Sequence, residues 1–264
     1  LPGTAMNRIS PRLLTIGCGA VYLFMYAPLL VLMVFSFTPT EYGVAWEGFT
    51  LKWYETVFNN KNIQDAFKVS LMIAIPCVLI STAIGTITAI TLYRSRFLGR
   101  ALFQGILYIP LIMPDVVIGI SLLLFYSSIN LELGILTILL AHISFSIPLT
   151  TLVIIARMQR IDRTLEEAAM DLGADEWTTM RKVTLPLLKP GILAAALLTF
   201  PWSFNDFVIT FFVSGVGSST LPVRVYSMLR LGVSPMVNAL GTLIVLVPLI
   251  IVIIGTRLAR RSVS

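Results

Sequence analysis

Along this chain, long apolar runs alternate with short charged ones. About 20 apolar residues cross a bilayer as a helix, and six stretches qualify: 13–37, 67–92, 101–127, 134–156, 190–213 and 238–258. Pro28, Pro76, Pro110, Pro114, Pro148, Pro201 and Pro248 fall inside them. Lipid-embedded helices tolerate proline because neighbours re-satisfy the freed carbonyls, so kinks are expected at several. Between the fourth and fifth runs the pattern changes to TLEEAAMDLGADEWTTMRKVTLP, residues 164–186. Thr164 three residues before Glu167 predicts a capping box. Leu165, Ala168, Ala169 and Leu172 share one face of the helix that follows, and Gly173 ends it by permitting a left-handed turn. Asp175 then caps a second short helix through Trp177, Met180 and Val183, closed by Leu185-Pro186. After the fifth run, PVRVYSMLRLG spaces Val225, Met228 and Leu229 as a short amphipathic helix. Ser234 as N-cap and Pro235 in the first turn restart the last one.

Composition turns this pattern into a fold class. Hydrophobic residues make up 57% of 264 and charged residues 12%, with a mean hydropathy of +0.91. No water-soluble core of this size hides so much apolar surface, so the solvent is lipid and the chain is an all-α integral membrane protein, a single domain with six spans. A net charge of +6 raises nucleic acid as a partner, but the bases sit in short loops between spans, which argues against it. Fourteen of them fall on the side that carries both termini and the 164–186 loop, and five (Lys52, Lys61, Lys68, Arg224, Arg230) on the other. The richer side is expected to be cytoplasmic. The apolar run after Arg12 is too long for a signal-peptide core and is expected to remain as a helix. Cys18 and Cys77 lie in apolar runs as packing residues, and nothing near them has metal-ligand spacing.

Charges inside a bilayer are costly and mark function. Asp115 in IPLIMPDVVIG and Asp206 in FPWSFNDFVITFF stand inside the third and fifth runs, each after a proline. Counted at 1.5 Å per residue they lie roughly 21 and 24 Å from the cytoplasmic ends, at similar depth in the outer half. Neither run offers Lys or Arg there. Two acids near an outer mouth suit a cationic solute, and Trp202, Phe204 and Phe207 could add cation–π contacts to ammonium groups. The alternative is a protonated Asp bonded to a carbonyl freed by its proline. The single histidine, His142, lies in mid-span four, where a helix-to-helix hydrogen bond is favoured over a proton relay.

The spacing Glu167-Ala168-Ala169, three residues, Gly173, nine residues, Val183, one residue, Leu185-Pro186 resembles the EAA loop of the membrane subunits of binding-protein-dependent ABC importers; Ile is usual where Val183 stands. FNDFVITFFVSG, LPVRVYSMLRLGVSPMVNAL and WEGFTLKWY are similar to the PotC-type permeases of spermidine/putrescine importers. Several consequences follow from the resemblance alone. The fold would be that of a type I ABC importer permease, in a bacterial inner membrane. The loop would act as a coupling helix, with Glu167, Ala168, Ala169 and Gly173 as contact and turn residues and Leu185-Pro186 as the return to the membrane. Its partners would be an ATPase dimer, a sister permease and an extracytoplasmic binding protein; the cargo would be a polyamine, with thiamine, ferric iron or another small solute as alternatives. ATP and Mg would sit on the ATPase. The chain contains no G-x-x-x-x-G-K-[ST] phosphate loop, so it cannot hold ATP in that way. No catalytic residue and no metal site are expected. An ion-coupled secondary transporter, the rival class, would need a coupling-ion site and usually inverted repeats; no repeat stands out.

Overall fold

The computed structural model describes residues 11–40, 46–230, 232 and 234–261. The first ten residues, with Arg8, and Leu231 and Val233 of the second outer loop lie outside them, as do the side chains of Arg12, Arg260 and Arg261. Among the described residues the regular structure is entirely helical. By internal contacts the chain divides into two units, Leu1–Asn59 with Met228–Leu243 and Asn60–Ser227 with Ile244–Ser264.

In the first unit, helix α1 (Pro11–Phe35) leads to a short amphipathic α2 (Lys52–Asn59). The window Leu14–Phe35 buries nothing within the structure, as a helix surrounded by lipid can; Cys18 is exposed on it. The WEGFTLKWY stretch closes the turn after α1. The Trp53 indole N–H donates to the Thr38 carbonyl at 2.7 Å, the Tyr54 and Ser36 hydroxyls pair at 2.7 Å, and Phe37 stacks on Phe49 at 5.1 Å.

The second unit begins with α3 (Lys61–Arg94), capped by the Asn60 side chain, which accepts from Ile63 N–H. Its start lies well before residue 67, because this cap and the polar turn that follows extend the helix past the apolar run. The third apolar run is not one rod. It is α4 (Arg100–Ile112) and α5 (Asp115–Ser128), bent by 108° at Met113-Pro114. Proline disfavours helical geometry at the preceding residue, and here Met113 is extended at ψ 142°. Asn130, left-handed at φ 54°, turns the chain into α6 (Ile135–Met158), followed by α7 (Thr164–Asp171) and α8 (Glu176–Thr179). A π-turn (Met180–Thr184) then feeds straight into α9 (Leu185–Phe204), and α10 (Val208–Val213) and α11 (Leu221–Leu229) follow. The last helix, α12 (Pro235–Arg261), belongs in its first part to the first unit. Among the described residues five helices are long and apolar enough to cross a membrane, or six spans if the bent pair counts as one. Apart from Pro114, the prolines named above lie inside continuous helices, Pro201 in the last turn of α9.

The core of this unit is the mutual packing of α3, α6 and α9, with α5 against α10. Helices in lipid gain little from apolar burial against one another and depend on close approach through small residues. Gly85 shows this: a Cβ there would stand 2.0 Å from Thr150 Oγ1, so α3 and α6 meet almost backbone to backbone. Cys77 is buried at the same seam, its Sγ 3.5 Å from Ser146 Oγ.

Candidate functional site

Two places stand out. The first is where α9 stops. Pro201 lies in its last turn, Asn205 caps its end, and α10 restarts three residues later. Asp206 stands in the gap and organises the restart: its Oδ2 accepts from the Thr210 backbone N–H at 2.8 Å and the Thr210 hydroxyl at 2.7 Å. His142, reaching over from α6, brings Nε2 to 2.9 Å from Thr210 Oγ1 and 3.3 Å from Asp206 Oδ2, while Nδ1 meets Ser203 Oγ at 2.7 Å. The expected helix-to-helix role of His142 is therefore what the structure shows, with Asp206 as an additional neighbour. Asp206 makes its bonds to the Thr210 donors rather than to a carbonyl freed by its proline.

Asp115 opens α5 immediately after the Pro114 break, so both acids stand at interruptions of apolar helices. Together they line one cavity of about 360 Å³, with Trp202, Asn205, Phe207 and Pro201 also in its wall. Among the described residues no Lys or Arg lines it. Trp202 is half exposed, and the Phe207 ring packs tilted against Tyr226, 4.7 Å between centroids. Phe204 does not belong with them. It is 2% exposed, packed between Phe67 and Phe200, because the helix phase that turns Trp202 outward turns Phe204 inward. Among the described residues no group of three or more His, Cys, Asp or Glu is placed to hold a metal ion.

The second place is the 164–186 segment. α7 carries Glu167, Ala168 and Ala169, and Gly173 takes the left-handed turn, φ +89°. Ala174 N–H reaches back to Ala169 O at 3.0 Å and Gly173 N–H to Met170 O at 2.9 Å, the paired bonds of a Schellman ending. Asp175 caps α8 as expected, accepting from Thr178 N–H at 3.0 Å. Hydrogen bonds from the Thr178 hydroxyl and backbone hold its carboxyl below the usual range. Two details differ from the expectation. The Thr164–Glu167 capping box is absent: Asp162 Oδ1 accepts from Thr164 N–H at 3.0 Å, so the cap lies upstream. Leu185-Pro186 does not close the second helix, because proline in the first turn of α9 has no N–H that needs an acceptor and the π-turn carries the helix through into the apolar run.

Glu166, not Glu167, faces inward. Its Oε1 pairs with the Arg94 guanidinium at the end of α3 and accepts from Thr184 Oγ1 at 2.7 Å, and Arg94 Nη2 also donates to Thr184 Oγ1 at 2.8 Å. This three-way knot ties α7 to α3 and to the π-turn. Outward, the segment presents Leu165, Leu172 and Trp177, the latter two 89% and 71% exposed, with Glu167 and Ala168 beside them. The knot escaped the sequence reading because Arg94 and Glu166 lie in segments far apart along the chain; two adjacent acids beside a basic helix end were its only trace.

Compared with known proteins, residues 81–264 match the family described as the binding-protein-dependent transport system inner membrane component. The chain is 39% identical over 241 residues to the spermidine/putrescine transport system permease protein PotC of Escherichia coli K12, covering 91% of each. It is 40% identical over 230 residues to the putrescine transport system permease protein PotI of the same organism, covering 84% of this chain and 82% of that one. Among solved structures, a bacterial ABC transporter involved in the import of the polysaccharide alginate superposes with a TM-score of 0.74 over 94% of both chains. At 17% identity that likeness speaks to the fold alone.

Proposed function

The chain belongs to the family of binding-protein-dependent transport system inner membrane components, and from that membership we propose that it is the permease subunit of an ATP-driven polyamine importer. Its close relatives are named for spermidine and putrescine, and the cavity fits such cargo. A polyamine is a string of ammonium groups joined by short apolar links. Two carboxylates with Trp202 and Phe207 between helix breaks offer it charge and ring faces in one place. One carboxylate–ammonium contact at 4 Å is worth about 4 kcal/mol before desolvation when the effective dielectric constant is near 20. A cation–π contact adds about 0.5–2 kcal/mol.

The family supplies the direction of work. The 14-to-5 distribution of bases supports a cytoplasmic side for both termini and the 164–186 segment. There the exposed face around Leu172 and Trp177 docks on a separate ATPase that holds ATP and Mg, the chain having no phosphate loop of its own. A sister permease completes the path, and a binding protein delivers cargo from outside. ATP-driven closure of the ATPases moves α7–α8, and the unbroken π-turn transmits that movement into α9, at whose far end Asp206 stands.

The observation that carries this reading is the convergence of Asp115 and Asp206 on one cavity without a cation in its lining. Asp206→Asn and Asp115→Asn should each lower uptake of labelled spermidine by about tenfold or more, since tenfold corresponds to about 1.4 kcal/mol. Unchanged uptake in both variants would remove the cavity from the transport path.

A further inference from the structure

His142 is the only histidine in the chain, its side chain is 1% exposed, and it does not line the acid cavity. A neutral imidazole carries one N–H and one lone pair, and both ring nitrogens are engaged. The direction of each bond can be worked out. The Thr210 hydroxyl gives its hydrogen to Asp206 Oδ2, so toward His142 its oxygen can only accept. With the Asp206 carboxyl ionised and the imidazole neutral, Nε2 then bears the proton and Nδ1 accepts from the Ser203 hydroxyl. The relay runs one way, from Ser203 on α9 to His142 on α6, to Thr210 on α10, and onto Asp206 in the gap between α9 and α10. Every donor arrives at the same carboxylate oxygen, Oδ2: the Thr210 hydroxyl and backbone N–H, with Nε2 alongside. Oδ1 has no hydrogen bond among the described residues, and Asp206 is a wall of the cavity.

An apolar residue of similar size at position 142 would fill the same space and satisfy none of this. Ser203 and Thr210 would lose a partner, the break between α9 and α10 would lose one of its ties to α6, and the Asp206 carboxylate would be freer to rotate. We propose that His142 is the positioning residue of the cation path: it never touches the cargo, but fixes the Asp206 carboxylate so that Oδ2 stays with the protein and Oδ1 is left for an ammonium group. This rests on the reading of the acid cavity as the polyamine path.

The test uses the complete transporter in proteoliposomes, with the chain, its ATPases, its sister permease and spermidine-loaded binding protein. The quantity read is spermidine delivered per ATP hydrolysed, which does not depend on how much of a variant folds. His142→Leu, which keeps bulk and removes both hydrogen bonds, should lower that ratio by about threefold to tenfold, the size of one net hydrogen bond. His142→Gln, whose amide can donate toward Thr210 and accept from Ser203, should stay within about twofold of the unaltered protein. In an Asp206→Asn background, His142→Leu should add no further loss, because residues acting through one group are not additive. A normal ratio in His142→Leu, or a full additional loss in the double variant, overturns the inference while leaving the cavity reading intact. Asp206→Asn with an unchanged ratio overturns the inference by itself, and together with an unchanged Asp115→Asn it overturns the cavity reading as well.

Discussion

Gly173 allows the geometry of the docking loop to be tested apart from its packing. The residue sits at φ +89°, and a Cβ built there meets nothing within 4 Å. Gly173→Ala therefore creates no clash, and its cost is backbone strain alone, about 1–2 kcal/mol for an L-residue in the left-handed region. That strain opposes the two Schellman bonds from Ala174 and Gly173 that turn α7 toward α8. If a partner ATPase recognises the loop in this shape, its affinity should fall by roughly 5- to 30-fold, the same free energy expressed as a binding ratio. Asn enters this region at lower cost, so Gly173→Asn should lose clearly less than Gly173→Ala. Titration of the purified ATPase subunit against detergent-solubilised permease measures both. Unaltered binding by Gly173→Ala would show that the turn is not what the partner reads. Equal losses for Ala and Asn would show that added bulk, not strain, is responsible.

Three further outcomes follow from the structure. Arg94→Met removes the charge from the knot and leaves Glu166, 18% exposed, with only the Thr184 hydroxyl; discounted for partial exposure, the loss is about 1–2 kcal/mol. It should appear as a several-fold faster proteolytic cut within 160–185, and an unchanged rate would mean that the pair does not hold α7. Asp175 has a lowered folded pKa, so its cap is intact above the ordinary carboxylate range and is lost as pH falls through the lowered value. Amide exchange at Thr178 should show that profile, Asp175→Ala should be unprotected throughout, and a pH-independent profile identical in both would refute the cap. Gly85→Ala places a methyl 2.0 Å from Thr150 Oγ1, which is held by the Ser81 and Ile147 carbonyls. The overpacking should cost about 1–3 kcal/mol in thermal stability, and Thr150→Ala should restore part of it; an unchanged melting temperature in the single variant would refute the close contact.

What the sequence disclosed divides along physical lines. Local chemistry was legible: the left-handed turn at Gly173, the Asp175 cap, and apolar runs long enough to span. So was the standing of Asp115 and Asp206 as acids inside apolar runs, because charge in lipid is conspicuous wherever it falls. Helix phase was not. A helix in lipid is apolar on every side, so periodicity does not say that Phe204 turns inward while Trp202 and Phe207 reach a cavity, or that Glu166 rather than Glu167 meets Arg94. Nor could it separate a proline inside a continuous helix, as at Pro76 and Pro148, from one that breaks it, as at Pro114. That outcome depends on whether neighbouring helices re-satisfy the freed groups. The His142–Asp206 relation joins residues in different spans, and only the packing of α6 against the α9–α10 break reveals it.

The central claim is that ATP hydrolysed by a partner drives a polyamine through this chain. Its most direct test is uptake of labelled spermidine into proteoliposomes holding the chain with its ATPase, sister permease and binding protein, with and without ATP on the ATPase side. The account predicts uptake that requires ATP and is competed by putrescine but not by thiamine or ferric iron. Uptake indifferent to ATP, or ATP hydrolysis stimulated by the binding protein with no spermidine delivered, would contradict it.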